Sequence, residues 1–211
     1  MTEPGRFITF EGGEGAGKST QARRLAATLE KRGISCIVTR EPGGSPGAEE
    51  IRALLVNGEP DRWGALTETL LLYAARADHV ARTIKPALAH GRWVICDRFA
   101  DSTYAYQGAG RGVDRETVRR IEAVAIADFK PDCTFILDLP VEEGLKRANA
   151  RSSAESRFEQ FDVTFHERLR QAFLDIAKRS PDRCRVIDAS ADADTVAQAI
   201  WKAVSARFAL S

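Results

Sequence analysis

Phe7-Ile8-Thr9-Phe10-Glu11-Gly12-Gly13-Glu14-Gly15-Ala16-Gly17-Lys18-Ser19-Thr20 opens as a strand and closes as a glycine-rich turn. The run Phe7 to Phe10 is aromatic and β-branched, and Gln21 to Lys31 beyond the turn has helical spacing with Leu25 and Leu29 on one side. Between them Gly12 to Ser19 satisfies G-x-x-x-x-G-K-[ST] in full. Backbone N–H groups of such a loop converge at a helix N-terminus and form a polyanion site. Gly12 and Gly17 give dihedrals and close approach that a β-carbon would obstruct. Lys18 reaches β and γ phosphates, and the Ser19 hydroxyl suits Mg²⁺. The alternative, an idle glycine turn, requires neither the strand before nor the helix after. A dinucleotide fingerprint does not fit, because Lys18 stands where a G-x-G-x-x-G begun at Gly13 needs its last glycine.

Further short apolar runs follow at Cys36 to Thr39, Trp93 to Cys96, Thr134 to Leu139 and Arg185 to Ile187, with helical segments between them. Strands alternating with helices predict a parallel sheet covered on both faces, a three-layer α/β domain spanning 1–211. A long insertion, Glu49 to Gly91, carries Leu66, Leu70, Tyr73, Ala77 and Val80 at spacings of three and four, which predicts two helices. Val196, Ile200, Val204 and Phe208 form one stripe of a closing helix.

Composition narrows the class. The chain has 211 residues, 31 Lys and Arg against 30 Asp and Glu, and a net charge of +1, so no global field points to nucleic acid or a membrane surface. Four cysteines and three histidines are scattered, suggesting neither a disulfide framework nor a metal cluster. The first residues lack the positive charge and apolar length of a secretory leader, and no run of 18 apolar residues predicts a membrane span. A cytoplasmic protein is expected.

Two further segments refine the chemistry. The third strand ends Asp97-Arg98 on the same sheet edge as the glycine loop, where Asp97 can orient hydrated Mg²⁺ and Arg98 can clamp a second phosphate. An ion pair closing a strand is the bland reading of that dipeptide. Lys146 to Arg157 is a polar stretch with Arg147, Arg151 and Arg157, placed to close over transferring phosphates, or else a solvated loop. A guanine-specific Asn-Lys-x-Asp tetrapeptide does not occur, which disfavours a GTP switch.

With these segments in hand, the chain resembles the nucleoside monophosphate kinases and, more closely, the bacterial thymidylate kinases. The likeness rests on Phe10-Glu11-Gly12, Gly15 to Thr20, Thr39-Arg40-Glu41-Pro42-Gly43-Gly44, Tyr73-Ala74-Ala75-Arg76, Asp97-Arg98-Phe99, Ser102-Thr103 and Ala105-Tyr106-Gln107-Gly108. It implies the P-loop kinase fold, a five-stranded parallel sheet with a flexible lid over about 147–158, and transfer of the ATP γ-phosphoryl to dTMP with Mg²⁺. The resemblance makes Gly12, Gly13, Glu14, Gly15, Ala16, Gly17, Lys18, Ser19 and Thr20 the ATP-binding loop, with Ser19 and Asp97 at the metal. Arg76 and Thr103 then read the thymine edge, while Tyr106 lies under the sugar and rejects a 2′-hydroxyl. Glu14 contacts the acceptor sugar hydroxyl and Arg40 and Arg98 its phosphate, with Pro42, Leu72, Ser102 and Gln107 completing the acceptor site. Leu72 stands where many relatives stack a phenylalanine on the base. The family places its catalytic arginine in the P-loop or in the lid. The P-loop position here is Gly15, so Arg151 and Arg157, with Arg147 third, join Lys18 and Arg98 as catalytic candidates. A cis Glu41–Pro42 bond and a homodimer through the alanine-rich middle helices are also implied. The alternatives are a kinase for another small acceptor, such as a deoxynucleoside, and an ATP-binding regulatory module.

Overall fold

The computed structural model describes residues 5–59, 61–150 and 161–210. Five strands, β1 (Phe7–Glu11), β2 (Cys36–Arg40), β3 (Trp93–Asp97), β4 (Cys133–Asp138) and β5 (Cys184–Asp188), lie where the apolar runs predict them. All pairings are parallel, in the order β2-β3-β1-β4-β5. Every residue of β1 is buried, as expected of a central strand covered on both sides.

One face carries α1 (Lys18–Glu30) and α9 (Ala193–Phe208). Ile8, Phe10, Phe135 and Leu137 pack there against Leu25, Leu29, Val196, Ile200 and Val204, so the closing stripe is core as its period predicts. The opposite face splits into two clusters. Phe7, Val94 and Phe99 meet Val80, Ile84 and Ile126, while Ile136 meets Phe165, Leu169 and Phe173 of α8 (Val163–Arg179).

The insertion forms two helical rods. The first is α2 (Pro46–Val56), which starts three residues earlier than the predicted span. The second runs from α3 (Ala65–His79) through a π-type turn, Val80–Ile84, into α4 (Lys85–Ala89). Its apolar stripe divides: Tyr73 and Val80 are buried, whereas Leu66 and Leu70 are each 51% exposed. The inward face of α3 instead buries Glu68, Thr69, Arg76 and His79, a polar face that anticipates a site.

The remaining helices are α5 (Ala100–Thr103), continued by a π-type segment Tyr104–Gly110, then α6 (Arg115–Ile126) and α7 (Val141–Asn149). Asp114 and Asp162 cap α6 and α8 by accepting from the backbone N–H three residues on, at 3.0 and 2.7 Å. Arg147 belongs to α7, which narrows the expected lid from the N-terminal side. Arg151 and Arg157 lie outside the described residues.

Candidate active site

The loop between β1 and α1 sits at the centre of the sheet, over its carboxyl edge, where strand order diverges to β3 on one side and β4 on the other. Gly12, Gly15 and Gly17 take φ of 133°, 68° and 87°, the left-handed region that glycine enters freely. At Gly15 the constraint is doubled, because a β-carbon there would lie 2.0 Å from the Gly144 carbonyl oxygen of α7. A β-carbon on Gly144 would in turn lie 2.5 Å from the Glu14 carbonyl. The loop and α7 touch backbone to backbone through a glycine pair. Lys18, nearly buried, donates to the Gly12 and Gly13 carbonyls at 3.2 and 2.7 Å. The Ser19 hydroxyl is in direct hydrogen-bond contact with Asp97, so two oxygen ligands of the kind a hard cation takes stand side by side at the helix start.

Across the loop, Arg98 directly follows β3 with φ 69°, a conformation that strains a side-chain-bearing residue. Its guanidinium donates to Glu14 at 2.9 Å and to Gly12 O and Ser102 Oγ at 3.2 Å each. Tyr106 donates to the same Glu14 oxygen at 2.6 Å, its ring centroid 4.9 Å from the Arg98 guanidinium carbon. Burial alone would raise the Glu14 carboxyl. The Arg98 and Lys18 charges and the Tyr106 hydroxyl outweigh it and hold that carboxyl at about 2, so Glu14 is a fixed carboxylate.

Arg76 is 2% exposed and packed against the rings of Tyr73 and Phe99. Nε donates to Glu41 at 2.7 Å, Nη2 donates to Phe99 O at 3.1 Å, and both terminal nitrogens donate to Thr103 Oγ1 at 3.2 Å. The other Glu41 oxygen meets His79 Nδ1 at 3.0 Å, and the Glu41–Pro42 peptide is cis, as the resemblance implies. Removing one partner of such a buried pair strands the other, at a typical cost of about 3–5 kcal/mol.

These groups line one cleft of about 350 Å³ that gathers Arg40, Pro42, Leu72, Arg76, Arg98, Ser102, Thr103, Tyr106 and Gln107 with Glu14, Lys18 and Ser19. Gln107 is held by a bond of 2.8 Å from its amide to buried Glu68. Arg40 is at the rim, 52% exposed and 3.2 Å from Glu49. Arg147 points elsewhere, to Glu143 and to the Ala189 carbonyl at 3.1 Å. Three contributors have no role assigned from sequence, although Glu11 and Glu41 stand inside the quoted motif segments. Arg52 of α2 lines the cleft and donates to Pro42 O at 2.6 Å; Glu41 and Glu11 are buried acids that hold arginine-bearing segments. An acid set within an otherwise apolar run is the signal that could have flagged Glu11.

A phosphate loop, a Ser–Asp oxygen pair and an arginine clamp facing one cleft define a P-loop phosphotransferase with two anionic substrates. The Thymidylate kinase family model matches residues 10–200. A thymidylate kinase from Caulobacter vibrioides is 58% identical over 210 residues, covering all of both chains, and one from Nitrobacter hamburgensis is 57% identical over 96% of this chain and 89% of its own. The crystal structure of thymidylate kinase from Ehrlichia chaffeensis superposes with a TM-score of 0.76 at 38% identity, covering 95% of this chain and 99% of that one. The chain belongs to the thymidylate kinase family.

Proposed function

We infer that the protein transfers the γ-phosphoryl group of ATP to dTMP, giving dTDP and ADP in the synthesis of dTTP. The observation that carries this, beside the family, is the convergence of Lys18 and Arg98 on one sheet edge with Arg76 and Thr103 at the end of the same cleft. An acceptor-phosphate oxygen attacks the γ-phosphorus in line, and the bond to the β-bridging oxygen breaks. Lys18 and the loop N–H groups hold the donor phosphates, Arg98 and Arg40 the acceptor phosphate, and Glu14 the sugar hydroxyl. Ser19 and Asp97 would hold Mg²⁺, which when bound screens the phosphate charges. Arg151 and Arg157 supply the remaining positive charge from the lid; Arg147, engaged with Glu143 and the Ala189 carbonyl, is left out of that role.

Base choice follows from hydrogen-bond direction. Thr103 Oγ1 accepts twice from Arg76, so its proton points away from that arginine. Arginine and threonine then offer donors to a base edge, which suits the thymine 4-carbonyl and opposes the cytosine 4-amino group. Leu72 packs the base without stacking on it. A coupled ADP-release assay over dTMP, dUMP, dCMP, UMP, CMP, AMP, GMP and thymidine tests the reading. dTMP is expected to lead by tenfold or more, and a different preferred acceptor would redraw the base pocket. In the same assay Arg151→Ala and Arg157→Ala are expected to lower kcat about 10²-fold. Wild-type turnover in both would remove the lid assignment.

The same reading makes the protein a homodimer. Leu66 and Leu70 on α3 are half exposed and Val124 on the neighbouring α6 is 90% exposed, an apolar surface suited to a second copy. Light scattering at micromolar concentration should give twice the 23.2 kDa chain mass, and the monomer mass would refute it. No helix among the described residues is long and apolar enough to cross a membrane. Four free thiols fit a reducing cytoplasm.

A further inference from the structure

Glu11, the last residue of β1, is an acid with no exposed surface. Both of its oxygens are engaged with the turn that follows Arg98. Oε1 accepts from the Phe99 N–H at 2.7 Å, and Oε2 pairs with the Ser102 hydroxyl at 2.6 Å. That hydroxyl also accepts from Arg98 Nη1 at 3.2 Å, while the Arg98 N–H donates to Phe10 O at 2.9 Å. One carboxyl therefore ties down the backbone just after a left-handed arginine and the side chain that steers its guanidinium. A residue at φ 69° persists only where its surroundings over-determine it, and Glu11 adds the anchor just after it to the bonds Arg98 makes with Phe10 O, Gly12 O and Glu14. Burial, then the neighbouring Asp101, pushes the Glu11 carboxyl up to about 8, so an acid is kept here against its own desolvation.

We propose that Glu11 is a positioning residue for acceptor-phosphate recognition: through Phe99 N–H and Ser102 Oγ it locks Arg98 where its guanidinium spans Gly12 O, Glu14 and Ser102. The inference rests on the reading of Arg98 as the acceptor-phosphate clamp. It separates phosphate binding from base binding, because Arg76, although it also donates to Phe99 O, keeps a buried ion pair with Glu41 that does not involve Glu11.

The test compares KM for dTMP, KM for ATP and the competitive inhibition constant of thymidine, which has no phosphate. Glu11→Ala is expected to raise KM for dTMP tenfold or more, leaving KM for ATP and thymidine inhibition within twofold. Glu11→Gln, which accepts from Phe99 and donates to Ser102, should return KM for dTMP to within threefold of wild type. Glu11→Asp, one methylene short of holding both partners, should repeat the selective loss and serves if the alanine variant does not fold. Arg98→Ala run alongside must weaken dTMP without weakening thymidine. If it does and the Glu11 variants change both ligands equally or neither, the inference is overturned. If Arg98→Ala itself spares dTMP, the clamp reading falls and the inference with it.

Discussion

Arg98→Ala is expected to lower kcat/KM for dTMP by about 10³-fold, the size of effect that follows loss of a buried charge from a hydrogen-bonded anion clamp. The side chain is 17% exposed and makes bonds to Gly12 O, Glu14 and Ser102, so it is oriented before any phosphate arrives. Thymidine, with nothing for Arg98 to hold, should bind the variant as it binds wild type. Equal losses for the nucleoside and the nucleotide would refute the clamp. The same substitution has an acid-side signature. Arg98 is the foremost of the charges that bring Glu14 from the ordinary 4.5 down to about 2. A carboxyl lowered on folding adds stability that is full above pH 4.5 and lost as pH falls toward 2. Without Arg98 that contribution shrinks, so acid unfolding should begin at higher pH. In the Glu14→Gln background the shift should vanish.

Gly15→Ala should cost about 10²-fold in kcat and several degrees in Tm. The new methyl would sit 2.0 Å from the Gly144 carbonyl oxygen and 2.7 Å from its carbon, on a backbone at φ 68°. Neither backbone has a side chain that could rotate away, so the loop and α7 must part. α7 carries Gly144 and packs on the phosphate loop, so parting the two shifts the loop that holds Lys18. Gly13→Ala is the packing control for Tm, because a β-carbon there meets nothing within 4 Å. Wild-type kcat in Gly15→Ala would show that the loop and α7 move independently. The same contact leaves no room for a side chain at position 15, which is in keeping with the proposed placement of the catalytic arginine at Arg151 or Arg157.

Much of this was legible before folding. The strand before Gly12, the helix that begins at Lys18 and the dipeptide Asp97-Arg98 at the end of β3 each lie in or next to a single element, and local pattern suffices to place them. The buried supports were not legible. Arg76 and Glu41 are 35 residues apart and meet only because α3 packs beside the end of β2. Glu11 and Ser102 are separated by 91 residues and meet across the sheet edge. In α3, periodicity marked Leu66 and Leu70 as equivalent to Tyr73 and Val80, yet the former stay exposed while Arg76 and His79 are buried. A helix that buries polar residues beside Leu72 and Tyr73 and leaves Leu66 and Leu70 outward still has the period of an ordinary amphipathic helix, and spacing alone cannot tell which side is covered.

The cysteines offer a consequence of a different kind. Cys36, Cys96, Cys133 and Cys184 are free and buried, one on each of β2, β3, β4 and β5. Burial raises each thiol, so alkylation is slow until a strand opens to solvent. Labelling followed by mass mapping would time that opening strand by strand, from the sheet's two edges inward, with no engineered probe. The enzyme carries four native clocks for its own unfolding, and β1, which has none, is flanked by two of them.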